Sequence, residues 1–79
     1  MMNKNIDYYI SLPYTVEVIP DTEDGGWVVK IKELSGCMTQ ADHLEDVLPM
    51  IQEAQRLWLE VALEYGHVIP EPPDLRASA

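Results

Sequence analysis

The chain has 79 residues, 47% hydrophobic and 24% charged, the composition of a globular domain too short for more than one core. Fourteen Asp and Glu against 5 Lys and Arg give a formal net charge of -9, which repels phosphate backbones and anionic lipid, argues against direct nucleic-acid or membrane binding, and suits either a basic protein partner or plain solubility. One cysteine, Cys37, excludes an internal disulfide, and no apolar run approaches the roughly 20 residues that cross a bilayer, so the chain reads as cytoplasmic.

The first residues, Met1, Met2, Asn3, Lys4 and Asn5, carry one positive charge with no apolar stretch behind them, unlike a signal peptide. In 6–12 the residues Ile6, Tyr9 and Ile10 fit a helical face, while Ile6, Tyr8, Ile10 and Leu12 fit strand alternation. The helical reading is preferred, and Pro13 ends either element. A strand follows from Tyr14, where Tyr14, Val16 and Val18 alternate with Thr15, Glu17 and Ile19.

Residues 20–26 are polar apart from Pro20 and end in Gly25 and Gly26, whose freedom at positive φ suits a hairpin connection. Trp27, Val29 and Ile31 then alternate with Val28, Lys30 and Lys32, a second strand with one large apolar face and one mixed face. After a bend at Ser35 and Gly36, residues 37–40 read as a third strand, which makes an antiparallel meander.

Asp42 and Glu45 have capping-box spacing, and Leu44, Val47, Leu48, Ile51, Ala54, Trp58, Val61, Ala62 and Tyr65 then recur at intervals of three and four. The spacing predicts one long helix covering the sheet and ending at Gly66 in a left-handed conformation. Pro49 conflicts with an uninterrupted helix. Either the helix kinks near 45–49, the preferred reading, or 42–48 form a separate turn and the main helix begins at Pro49. Val68, Ile69 and Pro70 could add a short edge strand, and 71–79 read as a mobile tail behind an ordered core of 6–70 in a single domain. The expected fold is α+β: a small antiparallel three- to four-stranded sheet, ordered β-β-β-α-β with a short N-terminal helix, covered on one face by one long helix.

Nothing in this pattern names a chemistry. Asp21, Glu23, Asp24, Glu45, Asp46 and Glu53 lack the alternating oxygen ligands, glycine and terminal glutamate of a calcium loop, and a solvated turn is the better reading. His43 and His67 have no cysteine or histidine at zinc-ligand spacing. Cys37 and His43 form the minimum of a nucleophilic pair, but a small buried strand residue explains Cys37 more simply. Trp27 and Trp58 fall on inward faces, as core rather than as a stacking platform. No enzyme, no metal and no cofactor is expected.

A family resemblance carries further. Tyr8, Tyr9, Ser11, Leu12, Pro13 and Tyr14, then Asp24, Gly25, Gly26 and Trp27, then Glu33, Leu34, Ser35, Gly36, Cys37, Thr39 and Gln40 stand in an order that resembles the HicB-type antitoxins, also called HicB-like or UPF0150 domains. The likeness continues through Glu45, Asp46, Glu53, Ala54, Leu57, Trp58, Leu59 and Glu60 to Ile69, Pro70, Glu71 and Pro72, and departs at Ser35, where proline is common, and at Ala41, where glycine is common. It implies a partial RNase H-like fold and a protein that covers the active surface of a small basic HicA-type toxin that cleaves RNA. The acidic charge agrees in sign with such a partner. Many relatives continue into a DNA-binding module, for which no room is expected before Ala79. The resemblance does not bring the RNase H carboxylate set with it, so a metal-dependent nuclease remnant is the weaker alternative. The partner surface is expected at Thr15, Glu17 and Ile19 on the exposed strand face and at Asp21, Glu23 and Asp24 in the turn. A small core and an open sheet edge also predict a homo-oligomer, a dimer or larger, which could be an orphan with no toxin partner.

Overall fold

A computed structural model describes residues 4–73 of the chain. Helix α1 (Ile6–Ile10) leads into the meander β1 (Val16–Pro20), β2 (Trp27–Ile31) and β3 (Met38–Ala41), and after a single 3-10 turn at Leu44–Asp46 the chain runs through helix α2 (Val47–Tyr65). The sheet order is β1-β2-β3, antiparallel throughout, so the expected α+β architecture is what forms.

The helical reading of the first segment holds because Asn5 caps it: the Tyr8 backbone N–H donates to Asn5 Oδ1 at 3.0 Å. Tyr9 is buried and α1 packs on α2. The strand expected from Tyr14 starts at Val16 instead. Before it, the Tyr14 N–H turns back to the Leu12 carbonyl and the Thr15 N–H is taken by Glu33.

Three expectations about α2 are corrected. The helix does not begin at Asp42: the 3-10 turn and α2 follow His43 and Asp46, neither of which makes a side-chain capping bond, so there is no capping box. The helix is not a kinked rod from 42 either. It starts at Val47, which puts Pro49 in the first turn, where a backbone N–H has no intrahelical acceptor and a proline costs no bond. The separate-turn alternative was the sound one, although the helix begins two residues before the proline. The third correction concerns the apolar stripe. Val47, Ile51, Gln55, Leu59 and Ala62 are buried, with Ala54 and Trp58 partly so, whereas Leu44, Leu48, Val61 and Tyr65 are exposed. At the other end, Gly66 closes the helix at φ 67°, with the His67 N–H donating to the Ala62 carbonyl at 2.9 Å and the Gly66 N–H to Leu63 at 3.4 Å.

The core lies between α2 and the inner face of β2 and β3. Val29, Leu34, Ile51 and Leu59 are its fully buried side chains, closed at the edges by Tyr9, Cys37, Ala41 and Val47. Trp58 packs against this cluster and its Nε1–H donates to the Ser35 carbonyl at 2.9 Å, which ties the middle of α2 to the loop before β3.

Among the described residues the sheet has three strands, and Val68, Ile69 and Pro70 form no fourth one. They strap the chain back across α1 instead. Ile69 packs on the core, Tyr14 Oη donates to the Pro70 carbonyl at 2.6 Å, and the Glu71 carboxylate accepts from Lys4 Nζ at 2.9 Å and Tyr8 Oη at 2.8 Å. The remainder of the expected tail, 74–79, lies outside the described residues. The Lys4 ammonium and then the Tyr8 hydroxyl hold the Glu71 pKa below its ordinary value. A depressed carboxylate pKa means that the strap's contribution is complete above the unfolded value, about 4.3, and is lost as pH falls through the lower folded value. The NMR resonances of the Tyr8 ring and the Glu71 side chain are therefore expected to shift together only below that point, and Lys4→Met should move the midpoint upward. An acid-insensitive strap would contradict the assignment.

Candidate protein-binding surface

Strand β1 is an edge. Pro13 ends the preceding segment and Pro20 occupies the strand's last position, so the ladder is short. The register pairs Val16 with Ile31, Glu17 with Lys30 and Val18 with Val29. The Lys32 N–H donates to the Thr15 carbonyl and the Asp21 N–H to the Gly26 carbonyl, so the odd-numbered residues of β1 turn their backbone groups toward β2. By alternation, the N–H and C=O of Val16 and Val18 and the carbonyl of Pro20 point away from the sheet.

The side chains of Val16 and Val18 share the inner face with Ile31 and Val29, because residues directly opposite in an antiparallel pair project to the same side. Helix α2 packs chiefly on β3 and β2. Val29 is therefore 0% exposed while Val16 and Val18 remain 37% and 39% exposed. Both the backbone edge and an apolar strip next to it are open.

The turn that extends this edge is built by Asp21. Its Oδ1 accepts from the N–H groups of Glu23 and Asp24 at 3.0 and 3.2 Å, and its carbonyl accepts from Gly25 at 3.0 Å. Asp21 thus shapes the turn, and the exposed carboxylates at its tip are those of Glu23 and Asp24. Gly26 is required twice over: its φ is +77°, and a Cβ there would stand 2.7 Å from the Ala41 carbonyl oxygen, across the gap to β3.

The outer sheet face differs from a simple acidic surface. Glu17 sits opposite Lys30, which in turn faces Met38, and Ile19, Val28 and Gln40 form the next row. Lysine offsets glutamate here. Thr15 is already committed, its N–H and hydroxyl both donating to the Glu33 carboxylate at 2.8 and 2.7 Å. Partial burial would raise the Glu33 pKa, but these Thr15 bonds outweigh it and leave the value lowered. Of the six expected residues, then, Glu17, Ile19, Glu23 and Asp24 present side chains along one border of the sheet, Asp21 organises the turn, and Thr15 anchors the strand's start. Sequence reading passed over the outward backbone of Val16 and Val18. Only Pro13 and Pro20, which mark an edge strand, could have pointed to it.

Cys37 is buried, and burial pushes its thiol pKa up, away from the thiolate that nucleophilic chemistry requires. Among the described residues no group of three or more His, Cys, Asp or Glu is placed to hold a metal ion, and no helix is long and apolar enough to cross a membrane.

A model of the family described as "HicB_like antitoxin of bacterial toxin-antitoxin system" matches residues 13–79. The chain is similar to a UPF0150 protein of Archaeoglobus fulgidus, 48% identical over 44 residues that make up 56% of this chain and 64% of the relative, so it spans a little under two thirds of that protein's length. A UPF0150 protein of Synechocystis is 35% identical over 57 residues, 72% of this chain and 77% of its own. Another, of Thermoplasma acidophilum, is 37% identical over 59 residues, 75% and 84% of the two chains. No solved structure matches.

Proposed function

The chain belongs to the HicB-like antitoxin family, and on that premise we propose that it neutralises a small basic HicA-type toxin that cleaves RNA, by covering the toxin's active surface. Membership supports an antitoxin role and suggests a non-enzymatic one. What most supports a binding mode is the open edge of β1, whose outward groups on Val16 and Val18 can accept a strand from the partner. Glu23 and Asp24 at the end of that edge draw in a positively charged protein, Glu17 and Ile19 border the contact, and Asp21 and Thr15 hold it in shape.

The test is co-expression with a basic protein encoded beside this gene, scored by copurification and by relief of growth arrest. Wild type is expected to rescue growth. Val18→Pro removes an outward N–H without touching the β1–β2 ladder, and should lower affinity at least about tenfold with the fold intact. Glu23→Lys with Asp24→Lys should mainly slow association and flatten its salt dependence. Absence of a complex with wild type would refute the proposal.

A second reading uses the same edge. Two copies can pair through antiparallel β1 strands with Val18 opposite Val18, a register that sets Glu17 against Ile19 and avoids opposed carboxylates. Sedimentation of the protein alone distinguishes it, since a dimer that Val18→Pro dissolves would establish the homo-oligomer.

A further inference from the structure

Helix α2 is apolar over more of its surface than one sheet can cover. At 3.6 residues per turn, the buried row through Val47, Ile51, Leu59 and Ala62 is flanked by a second row, Met50, Ala54, Leu57 and Val61, so that apolar residues occupy roughly two thirds of the circumference. In the second row Ala54 leans on the core, but the outer members are left open among the described residues: Leu57 and Val61 are 58% and 51% exposed. Ala54, Leu57 and Val61 of this row line a groove of about 560 Å³ together with Trp58, Met38 and Val68.

On the solvent side of that row stand Glu53, Glu60 and Glu64, at spacings that keep them on one stripe of the helix. Glu60 is paired with Arg56 at 3.3 Å, while Glu53 and Glu64 have no ion-pair partner among the described residues. An apolar trough bordered by carboxylates on a chain of net charge -9 disfavours a second copy of itself, because two such chains repel and a two-fold contact with antiparallel helices would bring the two acidic rows together.

We propose that this groove docks a basic amphipathic helix of a partner protein, whose apolar face enters between Leu57, Val61 and Met38 and whose lysines or arginines lie along Glu53 and Glu64. The mode is helix-in-groove recognition, with i, i+3, i+4 and i+7 anchors on the incoming helix. The site lies on a different element from the β1 edge and does not depend on the toxin reading.

The probe is a fluorescein-labelled helical peptide of about 18 residues made of leucine and lysine in amphipathic order, titrated by fluorescence anisotropy against the full chain. Saturable binding is expected, weakening as salt rises. Leu57→Ser with Val61→Ser, both on the surface and so compatible with an unchanged melting temperature, should reduce affinity at least about tenfold. Glu53→Gln with Glu64→Gln should reduce both the affinity and the salt dependence. Val18→Pro should bind the peptide as wild type does, which keeps failure of the edge reading apart from failure of this one. The proposal is overturned if binding is unsaturable, if the serine variant binds equally, or if a leucine–glutamate peptide of the same pattern binds as well. It is also overturned if the free chain forms a dimer that the serine variant dissolves, since a second copy would then be the occupant.

Discussion

Replacing Leu59 by alanine is expected to lower the stability of this domain by about 3–4 kcal/mol, whereas the same change at Leu57, two residues away, should cost less than about 1 kcal/mol. Leu59 is fully buried in the core cluster that also holds Val29, Leu34 and Ile51, so its removal leaves a cavity in the closest-packed part of the molecule. Leu57 stands on the open wall of the groove, where truncation removes little from packing. A chain of 79 residues is worth only about 4–12 kcal/mol in total, so the Leu59 variant should lose a large share of that and populate unfolded protein at physiological temperature. Urea unfolding followed by tryptophan emission gives both values, with an unchanged slope as the sign that the compactness of the end states is the same. Equal losses at the two positions would mean that the helix is seated with another face inward.

The second large effect is expected at Gly26. Alanine there must adopt φ +77° and place its Cβ 2.7 Å from the Ala41 carbonyl oxygen, a backbone atom of the residue paired with Trp27 in the β2–β3 ladder. A loss of about 3 kcal/mol follows from the two penalties together. Gly25 provides the control, since it has nearly the same φ of +80° with nothing within 4 Å of the added carbon. Its alanine variant should lose only about 1 kcal/mol, and Gly25→Asn less than that. Thermal melts of the pair separate conformational strain from steric overlap. If the two alanine variants melt together, the turn does not approach β3 as closely as the structure places it. Because the same turn presents Glu23 and Asp24, Gly26→Ala should also blunt partner binding in proportion to the displacement of the turn, even in molecules that remain folded.

Much of the fold was legible because its signals are local. Two glycines after a polar run demand a hairpin, alternation of Trp27, Val29 and Ile31 marks a strand with one buried face, and Gly66 after an apolar helix marks its end. The fourth strand and the capping box failed for a common reason. Each was a local pattern with a competing use for the same residues: Pro70 and Glu71 bond across to Tyr14, Tyr8 and Lys4, and Asp42 precedes a 3-10 turn rather than a helix.

By itself the sequence determined the three strands of the meander and the long helix after them, the acidic charge and the turn at Gly25 and Gly26, all of which depend on residues close together in the chain. Which face of α2 is buried, and which strand is left bare, were decided only in three dimensions. The helix carries apolar residues around most of its girth, so periodicity alone could not choose between the row of Leu59 and the row of Val61. One helix is also narrower than three strands, and its seat over β3 and β2 leaves β1 with its backbone groups and two valines toward solvent. The edge proposed for docking and the groove are among the places where that packing choice left apolar surface uncovered.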